Sequence, residues 1–296
     1  MSEQPSTESK TAPSISRDDF YENQSRFFGQ SKIDGRTIQR SLEKTQVLII
    51  GAGAIGSYTA DALSQSGLGQ LHLLDAVKTT EQDIPANAFF RHDDIGKTRA
   101  EALAAHVAAR NPNVSCRSAT ADVNSLEKLS NAIRGMDAVV VCADSASPAL
   151  LDVANEAAIR TKKRLLVGQV AQGVGLVGPT VIPKESACYK CYELRRNANL
   201  FNYEEIMQYE SRLRQMPGIR SELVAPRPFA ALVGGLLALE ALRLLSGQAA
   251  PQTVGHILRI NFNAPRMTYH PLLRLPNCPA CGYEKRRALP QLPSGK

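Results

Sequence analysis

Short apolar runs alternate with segments of helical spacing from Val47 onward. VLIIG (Val47 to Gly51) is an unbroken apolar run of the kind that forms a strand buried on both faces of a parallel sheet. AIGSYTADALSQSG (Ala54 to Gly67) has its apolar residues at helical spacing and stops at a glycine suited to a C-cap. QLHLLD (Gln70 to Asp75) predicts a second strand, ending in an acid. Residues 97–112 are Ala-rich and helical, with Pro112 just past the end; VSCRSA is a strand, SLEKLSNAIRG a helix, and DAVVVCAD (Asp137 to Asp144) a buried strand. PALLDVANEAAIRT is helical and RLLVGQV is a strand. Alternation at this spacing predicts an open α/β sheet of mainly parallel strands with helices on both faces.

The flanks read differently. Residues 1–17 are polar and Pro/Ser-rich, without the apolar core of a signal peptide, so they are expected to be a disordered tail on a cytoplasmic protein. A short arm and one helix lead into the core. From Gly173 the text changes to extended segments and turns, and Tyr192 to Glu222 is polar and charge-mixed, predicting a mobile loop with one helix. An apolar helix follows over Phe229 to Leu245, then a strand pair in HILRINFNAPRMTYHPL, and residues 284–296 form a basic tail. The longest unbroken apolar stretch, Phe229 to Leu239, is 11 residues and runs into Glu240 and Arg243, whereas a membrane span needs roughly 20. The pattern therefore predicts one domain over 18–283, its first part 45–172 and its second 173–283, with no membrane partner.

Composition narrows the chemistry. The chain has 296 residues, 43% hydrophobic and 21% charged, which is globular and excludes collagen-like or wholly disordered chains. A net charge of +7 raises nucleic acid or an acidic small molecule as partner. The basic residues are dispersed, without aromatic interleaving or a nucleic-acid motif, so a phosphate pocket plus a solvated face accounts for them better than nucleic acid does. Six cysteines are too few for a disulfide scaffold of this length, and in a reducing compartment paired cysteines point to metal.

Three motifs carry candidate chemistry. Gly51-Ala-Gly53-Ala54-Ile-Gly56 lies between the first strand and its helix: Gly51 permits a tight turn, Gly53 lets backbone approach a phosphate, and Gly56 lets helix and strand pack closely. The helix start offers N–H groups to an anion, and Asp75 is placed to accept from a ribose. The motif, Rossmann-like in form, does not by itself choose between a dinucleotide and ATP. Cys188-x-x-Cys191 and Cys278-x-x-Cys281 can together make a tetrahedral four-sulfur zinc site; a redox pair or two unrelated pairs are the alternatives. Four thiolates leave no open position, so such a zinc ion is structural. Asp144, at the carboxyl end of a buried strand, suits either Mg²⁺ beside nucleotide phosphates or the N-cap of the following helix.

Together, VLIIGAGAIGS, SGLGQLHLLD, FFRHDDIGKTRAE, DAVVVCADS, CYKC and CPACG, in this order, resemble the ThiF/MoeB/HesA family of ubiquitin-activating-enzyme-like adenylyltransferases, over about Phe20 to Tyr283. Within it, DDIGK and the GPTVIP…CYKC stretch look closest to the MccB-like peptide-adenylating type. The resemblance implies ATP and Mg²⁺ bound across the glycine turn and an acyl-adenylate formed at the carboxylate of a peptide or small carrier protein, with a structural Zn²⁺ and a homodimer. It implies Gly51, Gly53, Ala54 and Gly56 at the nucleotide, Asp75 at the ribose, Asn87, Lys97 and Arg99 near the phosphates, and Asp144 at Mg²⁺. The pattern N-L-x-R-Q falls on Asp83-Ile-Pro-Ala86-Asn87, so its Arg is Ala86 and its Gln is Asn87. The arm's Y-x-R-Q reads Tyr21-Glu-Asn23-Gln24, a second missing Arg, with Arg26 and Arg91 nearby as substitutes. No cysteine lies between Tyr192 and Cys278 to form a thioester. Three readings follow: an adenylyltransferase, a degenerate relative that presents a peptide without ATP turnover, and a nicotinamide-linked oxidoreductase.

Overall fold

The computed structural model describes residues 16–30, 33–87, 89–120, 123, 125–143, 148–171, 173–215, 226–264 and 266–282. Among these residues, eight strands form one sheet in the order β3-β2-β1-β4-β5-β6-β7-β8: β1 (Gln46–Ile50), β2 (Gln70–Leu74), β3 (Ser115–Ala119), β4 (Ala138–Ala143), β5 (Arg164–Ala171), β6 (Val174–Val177), β7 (His256–Asn261) and β8 (Arg266–Pro271). The first five run parallel, and β5 through β8 pair antiparallel.

The unbroken apolar runs have the expected cause. In β1, Val47 and Ile49 join one core while Leu48 and Ile50 join the other; in β4 the same division separates Val140 and Cys142 from Val139 and Val141. A strand covered on both sides has no polar face to show. The helices, in chain order, are α1 (Arg17–Phe20), α2 (Glu22–Phe28), α3 (Gly35–Leu42), α4 (Ala54–Gln65), α5 (Asp83–Ala86), α6 (Arg99–Arg110), α7 (Leu126–Ile133), α8 (Pro148–Thr161), α9 (Tyr189–Ala198), α10 (Tyr203–Gln215) and α11 (Arg227–Ser246). Helices α3, α4, α6 and α11 contribute to the first core, and α7, α8 and α9 to the second.

α11 is long and apolar enough to cross a membrane by length and composition. Here Ala230, Val233, Leu237, Ala238 and Ala241 are buried, and the helix packs on α4, β5 and β6. A Cβ on Gly234 would lie 2.8 Å from the Ile55 carbonyl oxygen, so glycine sets the close α4–α11 approach, and the Thr59 hydroxyl is within 3.2 Å of the Gly234 carbonyl. Buried Glu240 accepts from Arg243 and from the Thr253 amide and hydroxyl, each at 2.7 Å.

Three expectations need correction. The arm holds three helices, not one, because its short segments are fastened by tertiary bonds: Tyr21 Oη accepts from Asn111 Nδ2 (2.8 Å), and Gln24 Nε2 donates to the Ser66 carbonyl (2.8 Å). Tyr192 to Gln215 holds most of two helices, α9 and α10, where a loop with one helix was expected; an Arg196–Glu210 ion pair joins them. The helix expected from Lys97 begins at Arg99, because Thr98 is its N-cap and closes a capping box with Glu101. Arg17, the last residue of the expected tail, opens α1; residues 1–15 and 284–296 lie outside the described residues.

Candidate functional site

Strand order reverses between β1 and β4, so the connections leaving their carboxyl ends diverge and open a crevice there. The glycine turn fills its floor. Gly51 has φ +93°, donates to the Leu74 carbonyl (3.0 Å), and a Cβ there would sit 2.3 Å from the Cys142 carbonyl oxygen. A Cβ on Gly56 would sit 1.8 Å from the Gly51 carbonyl oxygen. Both positions therefore exclude any side chain. Gly53 is the N-cap of α4 and makes no side-chain cap bond, so the first turn of α4 keeps amides available to an anion.

Asp75 ties this turn to the end of β2. Its Oδ2 accepts from the Ala52 amide and its Oδ1 from the Val77 amide, both at 2.9 Å. The half-buried carboxylate retains acceptor capacity after these two bonds.

Beyond Asp75 the chain folds back on itself. Thr79 N donates to the Lys97 carbonyl (2.8 Å), Gly96 N to the Thr79 carbonyl (3.0 Å) and Arg99 N to the Val77 carbonyl (2.7 Å). This lays Lys97 to Arg99 along Val77 to Thr79, one short segment from the glycine turn. Lys97 Nζ sits 3.0 Å from Asp94 Oδ1 and is half exposed. Burial opposes ionisation of Asp94, but the Lys97 ammonium and the Arg91 amide outweigh it and hold the carboxyl below its ordinary value.

Arg99 is engaged elsewhere. Its guanidinium pairs with Asp83, whose Oδ2 also accepts from the Thr80 amide (2.8 Å) and hydroxyl (3.1 Å). Asn87 is buried, its Oδ1 accepting from Phe89 N (2.9 Å), while its Nδ2, Arg99 Nε and the Thr79 hydroxyl are buried without partners among the described residues. Nothing in the spacing of the sequence pointed to Asp83; the signal was its replacement of the Asn that opens N-L-x-R-Q.

The arm does not reach this crevice in its own chain. Tyr21 and Gln24 are bonded around Ser64 and Ser66, at the end of α4 opposite the glycine turn, about 18 Å of helix away. Asn23 is exposed, and Arg26 pairs with Glu22 on the surface of α2. Ala86 ends α5, and Arg91 is exposed. Asp144 lies outside the described residues; Ala143 before it ends β4 and pairs with Gln169.

The four cysteines converge. Their Sγ atoms lie within 4.8 Å of one another, with 3.9 Å between Cys188 and Cys191, 3.7 Å between Cys188 and Cys278, and 3.5 Å between Cys191 and Cys281. Four thiolates about 2.3 Å from a central ion stand roughly 3.8 Å apart, so the donor set fits a tetrahedral metal. Asn155 Nδ2 reaches Cys188 Sγ (3.7 Å) while its Oδ1 accepts from Tyr189 N (2.9 Å), and Leu275 N donates to Cys191 Sγ (3.5 Å). Asn155 was missed in the sequence; its signal was a polar residue at a core position of α8, beside Ala154 and Ala157. Cys116 and Cys142 stand in β3 and β4, and burial pushes the Cys116 thiol up to about 12.

Comparison with known proteins agrees with this arrangement. The chain is 23% identical to the molybdopterin-synthase adenylyltransferase of Escherichia coli, over 82% of this chain and 90% of that protein. It is 26% identical to the sulfur carrier protein adenylyltransferase of Thermus thermophilus, over 83% and 85%. Solved structures of Escherichia coli MccB share the fold: the one with ATP has a TM-score of 0.76 at 21% identity, covering 89% of this chain and 74% of that one. The microcin C7 biosynthetic enzyme MccB in complex with N-formylated MccA has a TM-score of 0.77 at 20% identity, over 90% and 76%. The ThiF family model matches residues 21–280, and on that match the chain is an enzyme belonging to the ThiF family.

Proposed function

We propose that the protein is an ATP-dependent adenylyltransferase that activates the carboxylate of a peptide or small carrier protein. The observation that carries this is the glycine turn: two positions that exclude a side chain, an uncapped helix start, and Asp75, just past β2, accepting from the Ala52 amide of the turn. Relatives named as a molybdopterin-synthase adenylyltransferase and a sulfur carrier protein adenylyltransferase, and the MccB structures with ATP and with MccA, support this reading.

In this reading the phosphates rest on the amides of Gly53, Ala54 and Gly56, and Asp75 accepts from the ribose. A substrate carboxylate oxygen attacks the α-phosphorus in line, the P–O bond to the β-phosphate breaks, and pyrophosphate leaves as the acyl-adenylate forms. Lys97 offsets charge developing on the pyrophosphate. Arg99 and Asn87 line the same fold-back. Asp144 would hold Mg²⁺, which when bound neutralises phosphate charge. Cys188, Cys191, Cys278 and Cys281 would hold Zn²⁺, which fastens α9 to the C-terminal turn and supplies no chemistry. No covalent cysteine intermediate enters. The test is pyrophosphate release from ATP when peptides or small carrier proteins encoded beside this one are added; none released with any of them rejects the reading.

A second reading is favoured by one specific observation. Ala86 stands where the family pattern has Arg, and Asp83 neutralises Arg99, so the cation count facing a triphosphate is low. A relative that binds and presents a peptide without turnover fits that. Tight peptide binding with no ATP consumption would select it, and observed turnover would reject it.

A further inference from the structure

A second hollow, of about 290 Å³, opens on the antiparallel side of the sheet, between α9 and strands β6 to β8. Its floor is apolar: Leu176, Ile257 and Leu272. Its rim is cationic: Arg195, Arg196, Arg259 and His270. Glu210 engages Arg196, and Arg195 Nε donates to the Leu273 carbonyl (3.0 Å). Among the described residues, the exposed Arg259 side chain has no hydrogen-bond or ion-pair partner, and the exposed His270 ring bonds Thr268 on its own strand (2.8 Å). Three arginines against one carboxylate leave the rim positive.

The strand ladder fixes where the hollow lies. Ala143, the last residue of β4, pairs with Gln169, Gln169 with Leu176, and Leu176 with Arg259. At about 4.8 Å per strand, Leu176 is roughly 10 Å and Arg259 roughly 14 Å from the carboxyl edge of β4, level with it across the sheet. An extended chain covers that span in about four residues.

We infer that this hollow reads the substrate: it takes an acidic side chain, next to an apolar one, about four residues before the carboxylate that reacts. The apolar neighbour lies on Leu176, Ile257 and Leu272 while the acid meets Arg259 and Arg195. The inference rests on the adenylation reading for the position of the reacting carboxylate, but the hollow binds whether or not ATP turns over.

The experiment is fluorescence anisotropy, without ATP, on the full-length protein. The probes are fluorescein-labelled octapeptides with a Leu-Glu, Leu-Gln or Leu-Lys pair about four residues before a free C-terminus. The Leu-Glu probe is expected to bind at least about tenfold more tightly than Leu-Gln, with Leu-Lys weakest and the preference shrinking as salt rises. Arg259→Glu should invert the ranking of the Glu and Lys probes, whereas Arg259→Lys should keep it, and both variants should melt with the wild type because the side chain is exposed. Equal or absent binding of the three probes, or an unchanged ranking in Arg259→Glu, overturns the inference. A preference for the Glu probe in a protein that never releases pyrophosphate would sink the adenylation reading and leave the hollow standing.

Discussion

In the proposed adenylation, Gly51, Gly56, Asp75 and Lys97 each make a separate, checkable contribution. Because a Cβ on Gly56 would lie 1.8 Å from the Gly51 carbonyl oxygen, Gly56→Ala must push α4 off the turn. It should abolish ATP binding by calorimetry and lower the melting temperature together. Asp75→Asn replaces one acceptor with an NH₂ facing the Ala52 or Val77 amide, and is expected to weaken ATP binding about tenfold in the same assay. Lys97 behaves differently: its ion pair with Asp94 is half exposed and is worth at most about 1 kcal/mol. Lys97→Ala should therefore leave the melting curve nearly unmoved while slowing pyrophosphate release by about a hundredfold. A rate loss that tracked the melting temperature would give Lys97 a structural role instead. The glycine turn and Asp75 were legible in the sequence because strand, helix and acid appear in fixed order. The Arg99–Asp83 pair was not, since its partners stand 16 positions apart and meet only when the chain folds back.

Among the elements, those buried on both faces were the ones the pattern revealed. β1 and β4 show unbroken apolar runs because both sides meet a core. α1 and α2 were missed because each is too short to show helical periodicity, and bonds from Asn111 and to Ser66 hold them in place. The stretch holding α9 and α10 shows only one helix in its pattern because, in YEEIMQYESRLRQ, charge dominates and few of the described side chains face inward. β2 carries a pH-sensitive residue. Burial, then the nearby Arg117 charge, lowers the pKa of His72 below 6.5, and its Nε2 is buried without a partner among the described residues. The unfolded chain takes up this proton near pH 6.5 while the fold resists it. The stabilisation is thus whole above that pH and declines as pH falls below it. Melting temperatures between about pH 7.5 and 5.5 should drop for the wild type and drop less for His72→Val; parallel curves would contradict this.

For the whole molecule, the cysteine cluster joins α9 to the C-terminal turn across some 90 residues of sequence. The split pairs were legible by spacing; Arg274, which donates to the Cys281 carbonyl (3.1 Å) and the Lys184 carbonyl (2.6 Å), was not. Purified protein is expected to hold one zinc ion per chain by mass spectrometry of metals. Cys278→Ser should lose the metal and lower the melting temperature, and a chelator should reproduce that shift in the wild type but not in the variant. We propose a homodimer, as the family resemblance implies, which light scattering should show as twice 32.1 kDa.

In the proposed reaction this crevice forms an acyl-adenylate reversibly. That step is tested most directly by exchange of labelled pyrophosphate into ATP, with the encoded peptides or carrier proteins as carboxylate donors. Exchange is expected to need the free carboxylate, to vanish when that carboxylate is amidated, and to fall about a hundredfold in Lys97→Ala. Peptide binding to an ATP-loaded protein with no label entering ATP would contradict it.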